Sequence, residues 1–385
     1  MTDASEAGHL LAAADARLRR AVAVLDALPE RGEADALIAP LRTRLAELRP
    51  PRPITLTRLL FVPVEKLIAP TATWTLGSPA IPRGALAVLG SDMRAALGDG
   101  ATVLQAQMAG RSMDDAAVVA ACGAELWPRA ATLLPGRPPP PGWSSATGLP
   151  ATAHAAITAP LAVLLAEGVA LHGLTRLREA AAQGEAERLL RHAGQHGLAA
   201  LAMMLALLLR LLPRAQHLLQ SVDTAAGDRA MAFVLADLRG AVPPDAAPAE
   251  AADQARRSAL LLEDLEAAAT TAERPVRMQM LREARQALAA QCRARLVAAA
   301  DRLAGSAEPP REPAGFMAME DTARAMRRLD AVGRRLGDAA ALDRALSAAA
   351  GRLVADRRLP QVARLRLAEI LLGPDAALAL VEVEG

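Results

Sequence analysis

Residues 276–303, VRMQMLREARQALAAQCRARLVAAADRL, decide the fold class. Leu281, Ala284, Leu288, Cys292, Leu296 and Leu303 recur at steps that a helix gathers on one face, while Arg282, Glu283, Arg285 and Arg293 fall elsewhere around the wheel. The same reading carries outward from this stretch. It predicts helices at about 152–182, 185–211, 213–239, 249–272, 275–304, 316–336, 339–358 and 360–372, punctuated by Gly184, Pro213, Gly240–Pro248, Pro275, Gly305–Pro313, Pro360 and Pro374. Strand-like alternation of useful length is missing, and only the C-terminal LALVEVEG, 378–385, could add a short strand. The expected fold is all-α: an irregular multi-helix bundle in two parts, with room for solenoid-like stacking of helical hairpins. Residues 25–45 and 329–349 echo one another as two helices around a glycine-containing turn, but no fixed period recurs.

Composition supports this class. Hydrophobic residues make up 52% of the 385 but aromatics only 2%, so the interior must be built from Ala, Leu, Val and Met on closely approaching helices. The length exceeds the ~250–300 residues at which single cores stop growing, which favours two domains. Forty-four basic against forty-two acidic residues leave +2, too little for a global field that attracts a polyanion. Cys122 and Cys292 lie far apart among apolar neighbours, as buried thiols in a reducing cytoplasm would. The first twenty residues carry acids where an export signal needs positive charge. The longest apolar run, Leu198–Leu209, is 12 residues long and reads as a core helix, not a membrane span.

One stretch departs from the Ala/Leu/Arg pattern. Residues 52–89 hold Phe61, Trp74 and the sole lysine, Lys66, among prolines at 53, 63, 70, 79 and 82. Each proline removes a backbone donor, so the expectation is two helices, about Thr55–Ile68 (kinked near Pro63) and Pro82–Leu97, joined by an ordered connection. On that connection Trp74 either plugs its own core or offers a partner a large apolar contact. Before it, two helices to about Leu28 and over Glu33–Leu48 form a hairpin. After it, a helix near Ala101–Ala109 and another, started at Ser112–Asp115, runs to about Leu126, where Trp127-Pro128 disturbs it. Residues 135–150, PGRPPPPGWSSATGLP, read as a stiff polyproline spacer followed by a bend. They divide the chain into an N-terminal helical domain, 1–134, with its Pro-rich stretch at 50–82, and a C-terminal one, 151–385.

Candidate chemistry is sparse. His192 and His196 are four residues apart, which puts both imidazoles on one helix face as ligands for a divalent metal, with Glu185, Glu187, His172 and His217 as further donors. The run lacks the ExxH of di-iron bundles and the HExxH of zinc proteases. Asp114–Asp115 suits a helix start, and Glu263, Asp264 and Glu266 read as a solvated face. GxSxG, Walker and GxGxxG motifs are missing from the sequence, so no residue is assigned a catalytic role and no cofactor is expected beyond that divalent metal.

The strongest local signal is charge. Between Arg324 and Arg366 eleven arginines face four aspartates, a net of +7. In the helix at 316–336, Met319, Thr322, Met326, Leu329, Gly333 and Leu336 draw a narrow seam, and Arg324, Arg327, Arg328, Arg334 and Arg335 gather opposite, with Glu320, Asp321 and Asp330 too few to quench them. The expectation is a non-catalytic, cytoplasmic interaction or scaffold protein, using that arginine face and Trp74 to bind a protein with an acidic surface. The alternatives are a metal-binding helical enzyme or sensor centred on His192 and His196, and a nucleic-acid binder that contacts phosphates without base stacking.

Overall fold

The computed structural model describes residues 53–212, 215–238, 240–242, 246–270, 275–304, 313–375 and 378–379. The expected N-terminal hairpin and almost all of the C-terminal strand lie outside the described residues. Within them the fold is all-α, and its strand content is one parallel pair of two-residue strands, Ile68–Ala69 with Ile81–Pro82.

Thr55, extended at the N-cap, accepts from the Arg58 amide at 3.3 Å and starts α1, Leu56–Phe61. Pro63 then tightens the chain into a 3-10 helix, Val62–Leu67, so the predicted kink is a change of helix type. Helices α2, Ala85–Leu97, and α3, Asp99–Met108, follow the connection. Asp115 caps α4, Ala116–Leu133, by accepting from the Val118 amide at 3.2 Å. This helix runs straight through Pro128, against expectation, because Trp127, Ala130 and Leu134 are buried on both sides of the missing donor and tertiary packing outweighs one lost bond.

Next come α5, Trp143–Thr147, α6, Ala151–Ala166, α7, Gly168–Leu174, α8, Glu179–Gln195, and α9, Leu198–Leu211. The single helix expected over 152–182 is therefore broken, with α6 and α7 bent by 68°. A Cβ at Gly168 would lie 2.8 Å from Trp127 Cβ, so this glycine lets the bent chain close on α4. The helix expected over 185–211 is also two, divided at Gly197, whose φ of 100° suits glycine. Residues 215–220 form a 3-10 turn before α10, Thr224–Leu238, which shortens the helix expected over 213–239. The last five are α11, Pro248–Thr270, α12, Pro275–Ala304, α13, Pro313–Arg335, α14, Ala339–Ala355, and α15, Gln361–Leu372, close to their expected bounds.

The packing does not divide at residues 135–150. One apolar core runs from Ile54 to Cys292, with Leu329, Val332 and Leu336 added from the region of α13. Trp143 is 2% exposed within it and donates to the Pro150 carbonyl at 3.1 Å. Arg137 holds Asp92 of α2 bidentately at 2.9 and 2.8 Å, so the supposed spacer lies against the helices around it. A second apolar cluster starts instead at Leu296, in the C-terminal half of α12, and takes in α13, α14 and α15. Helix α12 contributes to both through Leu281, Ala284, Leu288 and Cys292 on one cluster and Leu296 and Leu303 on the other, the face drawn by the sequence. No single helix among the described residues is long and apolar enough to cross a membrane.

Candidate functional site

The seam of α13 is buried at Met319, Met326, Leu329, Gly333 and Leu336 and half-buried at Thr322, and the five arginines are exposed, as expected. Their charge is not free. Arg324 meets Glu320 and Asp321, Arg328 meets Asp253 of α11 at 2.9 Å, and Arg335 meets Glu263 of α11 at 2.7 Å. Arg327 and Arg334 both donate to Asp330, which is 2% exposed, and Arg334 also reaches Asp343 of α14. The hydrogen bonds that Arg334 donates to Asp330 and Asp343 push its guanidinium further up its range. Acids on α13 alone are indeed too few, and neighbouring helices supply the rest. Glu263 and Glu266, read from sequence as a solvated face, hold Arg335 and Arg285.

His192 lies in the last turn of α8 and His196 is its C-cap, so the pair spans a helix end rather than sitting mid-helix. Their rings still meet, with centroids 4.8 Å apart. The nearest acid, Glu167, stands 3.7 Å from His192 Nε2, but Arg188 grips both of its oxygens, at 3.2 and 2.7 Å. That guanidinium holds the Glu167 carboxyl below the usual carboxylate range. Among the described residues, no three His, Cys, Asp or Glu side chains converge as a metal site would need.

Two other histidines are absorbed by the core. His154 is 1% exposed, edge-on to Trp143 at 5.0 Å, with neither ring nitrogen bonded, and His172 lies 5.4 Å from Trp127 with Nε2 unpaired. Burial pushes both below 6.5, opposed at His154 by Asp92 and aided by Arg137, and aided at His172 by Arg176. The unfolded chain therefore takes up protons near 6.5 that the folded chain refuses, so stability is lost as pH falls below that value. Glu167 and Asp356, held below 4.5 and 3.8, lose their contribution only in a lower window. The melting temperature should accordingly drop between about pH 7 and about pH 5, and a His154→Leu/His172→Leu variant should show a flatter profile there.

Trp74 is half-buried, packs against the main core and donates to the Ala80 carbonyl at 3.0 Å. It plugs a loop that the Ile68–Ile81 strand pair closes and that Thr71 ties to the Gly84 amide at 2.8 Å. The loop is one wall of a cleft of about 1140 Å³; α10 and the first half of α11 form the other. Arg210 of α9 braces this junction. Only 11% exposed, it stacks 3.8 Å from the Phe233 ring, pairs with Asp237 and donates to the Lys66 carbonyl. Lys66, Arg229 and Arg257 line the cleft, and among the described residues no carboxylate pairs with any of them. Leu76, 73% exposed, stands on its loop wall. Sequence reading singled out Lys66 and Trp74 but not Arg229 or Arg257, which stand in unremarkable helices more than 150 residues away. Comparison with protein-family models, curated proteins and solved structures finds no match to this chain.

Proposed function

We propose that the chain is a non-catalytic helical interaction protein that receives a protein partner with an acidic surface at the cleft beside Trp74. One contrast supports the reading. The arginines of α13 already meet carboxylates of their own chain, whereas Lys66, Arg229 and Arg257 meet none among the described residues. Unpaired exposed cations around a concave surface attract a complementary patch and fix its orientation. Leu76 and Phe233 supply apolar contact beside them. Cys122 and Cys292 are unpaired and buried, which supports a reducing cytoplasm as the setting of this proposal.

Two charge-reversal variants test the site by affinity capture at moderate salt. Lys66→Glu/Arg229→Glu/Arg257→Glu should lose the captured partner, and Arg327→Glu/Arg328→Glu/Arg335→Glu, if still folded by circular dichroism, should retain it. Retention by the first variant with loss by the second would return the binding role to α13.

A further inference from the structure

We propose that the occupant of this cleft is an extended acidic peptide segment, held by side-chain carboxylates and by its own backbone. The inference rests on the cleft reading above and adds the form of the ligand. Three features of the cleft ask for different things. Lys66, Arg229 and Arg257 ask for anionic oxygens, and two of the three are planar guanidiniums that suit carboxylates bidentately. Asp237 is the one acid among the lining residues, and Arg210 already holds it.

Gln254 asks for the opposite. Its amide nitrogen donates to Glu250 at 3.4 Å, but its carbonyl oxygen is buried without a hydrogen-bond donor while the residue lines the cleft. A buried acceptor left unmade costs on the order of 1–3 kcal/mol, so a turn of the Gln254 side chain that brings this oxygen to the cleft surface and onto an N–H of the occupant adds to the charge pairing. An acidic peptide carries both groups, carboxylates for the cations and backbone N–H groups for Gln254. The third feature is apolar: Phe233 and Leu76 give alternate side chains of an extended segment a surface to lie on.

The loop wall is ordered before the peptide arrives, and only the Gln254 side chain has to turn. Gly77, at φ 87°, brings the loop against Arg229, whose guanidinium nitrogen would stand 3.5 Å from any Cβ placed there. The loop is closed by strand pairing and by the Trp74 bond to Ala80, so little ordering cost is left to binding.

The probe is an amidated hexapeptide of alternating glutamate and leucine with an N-terminal fluorescent label, measured against the full chain by fluorescence anisotropy at low and moderate salt, with the free label as the blank. The expected result is saturable, salt-weakened binding, reduced at least tenfold by Lys66→Glu/Arg257→Glu and about threefold by Gln254→Leu, with little or no binding of the glutamine–leucine counterpart. Equal binding of that neutral counterpart, or unchanged affinity in the charge-reversed chain, overturns the proposal. Competition by inorganic phosphate at equal strength to the peptide also overturns it, because the cleft would then read charge alone. Should the peptide fail to bind while affinity capture still depends on Lys66, Arg229 and Arg257, the cleft recognises a folded acidic surface, and only the extended form is refuted.

Discussion

Trp127→Ala is expected to destabilise the chain by about 3–5 kcal/mol, the range for deleting a fully buried tryptophan. In a core with so few aromatics this ring holds three elements together. It is 1% exposed, its Nε1 donates to the Leu59 carbonyl at 2.8 Å, and it lies against His172 of α7. Alanine leaves a cavity between α1, α4 and α7 and removes one of two donors to the Leu59 carbonyl, which keeps the Val62 amide, so the cavity is the larger cost. Trp127→Phe keeps most of the apolar contact and should cost about 1–2 kcal/mol for the lost hydrogen bond.

Gly123 provides the internal check. A Cβ there would meet the Trp127 ring at 2.3 and 2.4 Å, so Gly123→Ala should be destabilising by about 1–3 kcal/mol in the parent chain. With the ring removed that clash is gone, and alanine gains about 1 kcal/mol over glycine within a helix. Gly123→Ala should therefore turn neutral or stabilising in the Trp127→Ala background, a change of sign readable from urea midpoints. Additive losses would mean that the ring and the glycine do not meet as described.

The same contact shows where sequence reading stops. Helices α11 to α15 were legible nearly to their ends because proline and glycine punctuate them, and the buried face of α12 was legible because Leu281, Ala284, Leu288, Cys292, Leu296 and Leu303 keep the helical period. The bend at Glu167 carries only a lone glycine beside it, which by itself does not mark a helix end. It exists because Gly168 closes onto Trp127, forty-one residues earlier, and α4 continues through Pro128 because that ring is buried. The candidate site failed to show for a related reason. The seam and the arginine face of α13 could be drawn on a wheel, and so could its own Glu320, Asp321 and Asp330, but the carboxylates that complete the quenching, Asp253, Glu263 and Asp343, come from other helices. The cleft likewise joins Lys66 to Arg229 and Arg257 across the chain, and periodicity says nothing about which distant faces meet.

That quenching gives the second large effect. Arg327→Ala/Arg334→Ala is expected to cost about 3 kcal/mol, the low end for stripping a buried charge of its partners. Asp330 is 2% exposed and accepts from Arg327 at 2.9 Å and from Arg334 at 2.8 and 3.0 Å. Removing both guanidiniums leaves its carboxylate buried and alone, while Asp343, 58% exposed, is left to water. The low end applies because the two arginines are themselves 44% and 38% exposed, so some water can enter where they stood. Lost helix propensity cannot account for the effect, since alanine is the strongest helix former. Adding Asp330→Leu should restore most of the stability, because an apolar residue replaces the stranded charge. Arg328→Ala supplies the contrast: its pair with Asp253 is 50% and 53% exposed, and its loss should change stability by no more than about 1 kcal/mol. If urea midpoints place Arg327→Ala/Arg334→Ala beside Arg328→Ala, with Asp330→Leu giving no recovery, then Asp330 is not held as described and the α13 arginines are a solvated surface.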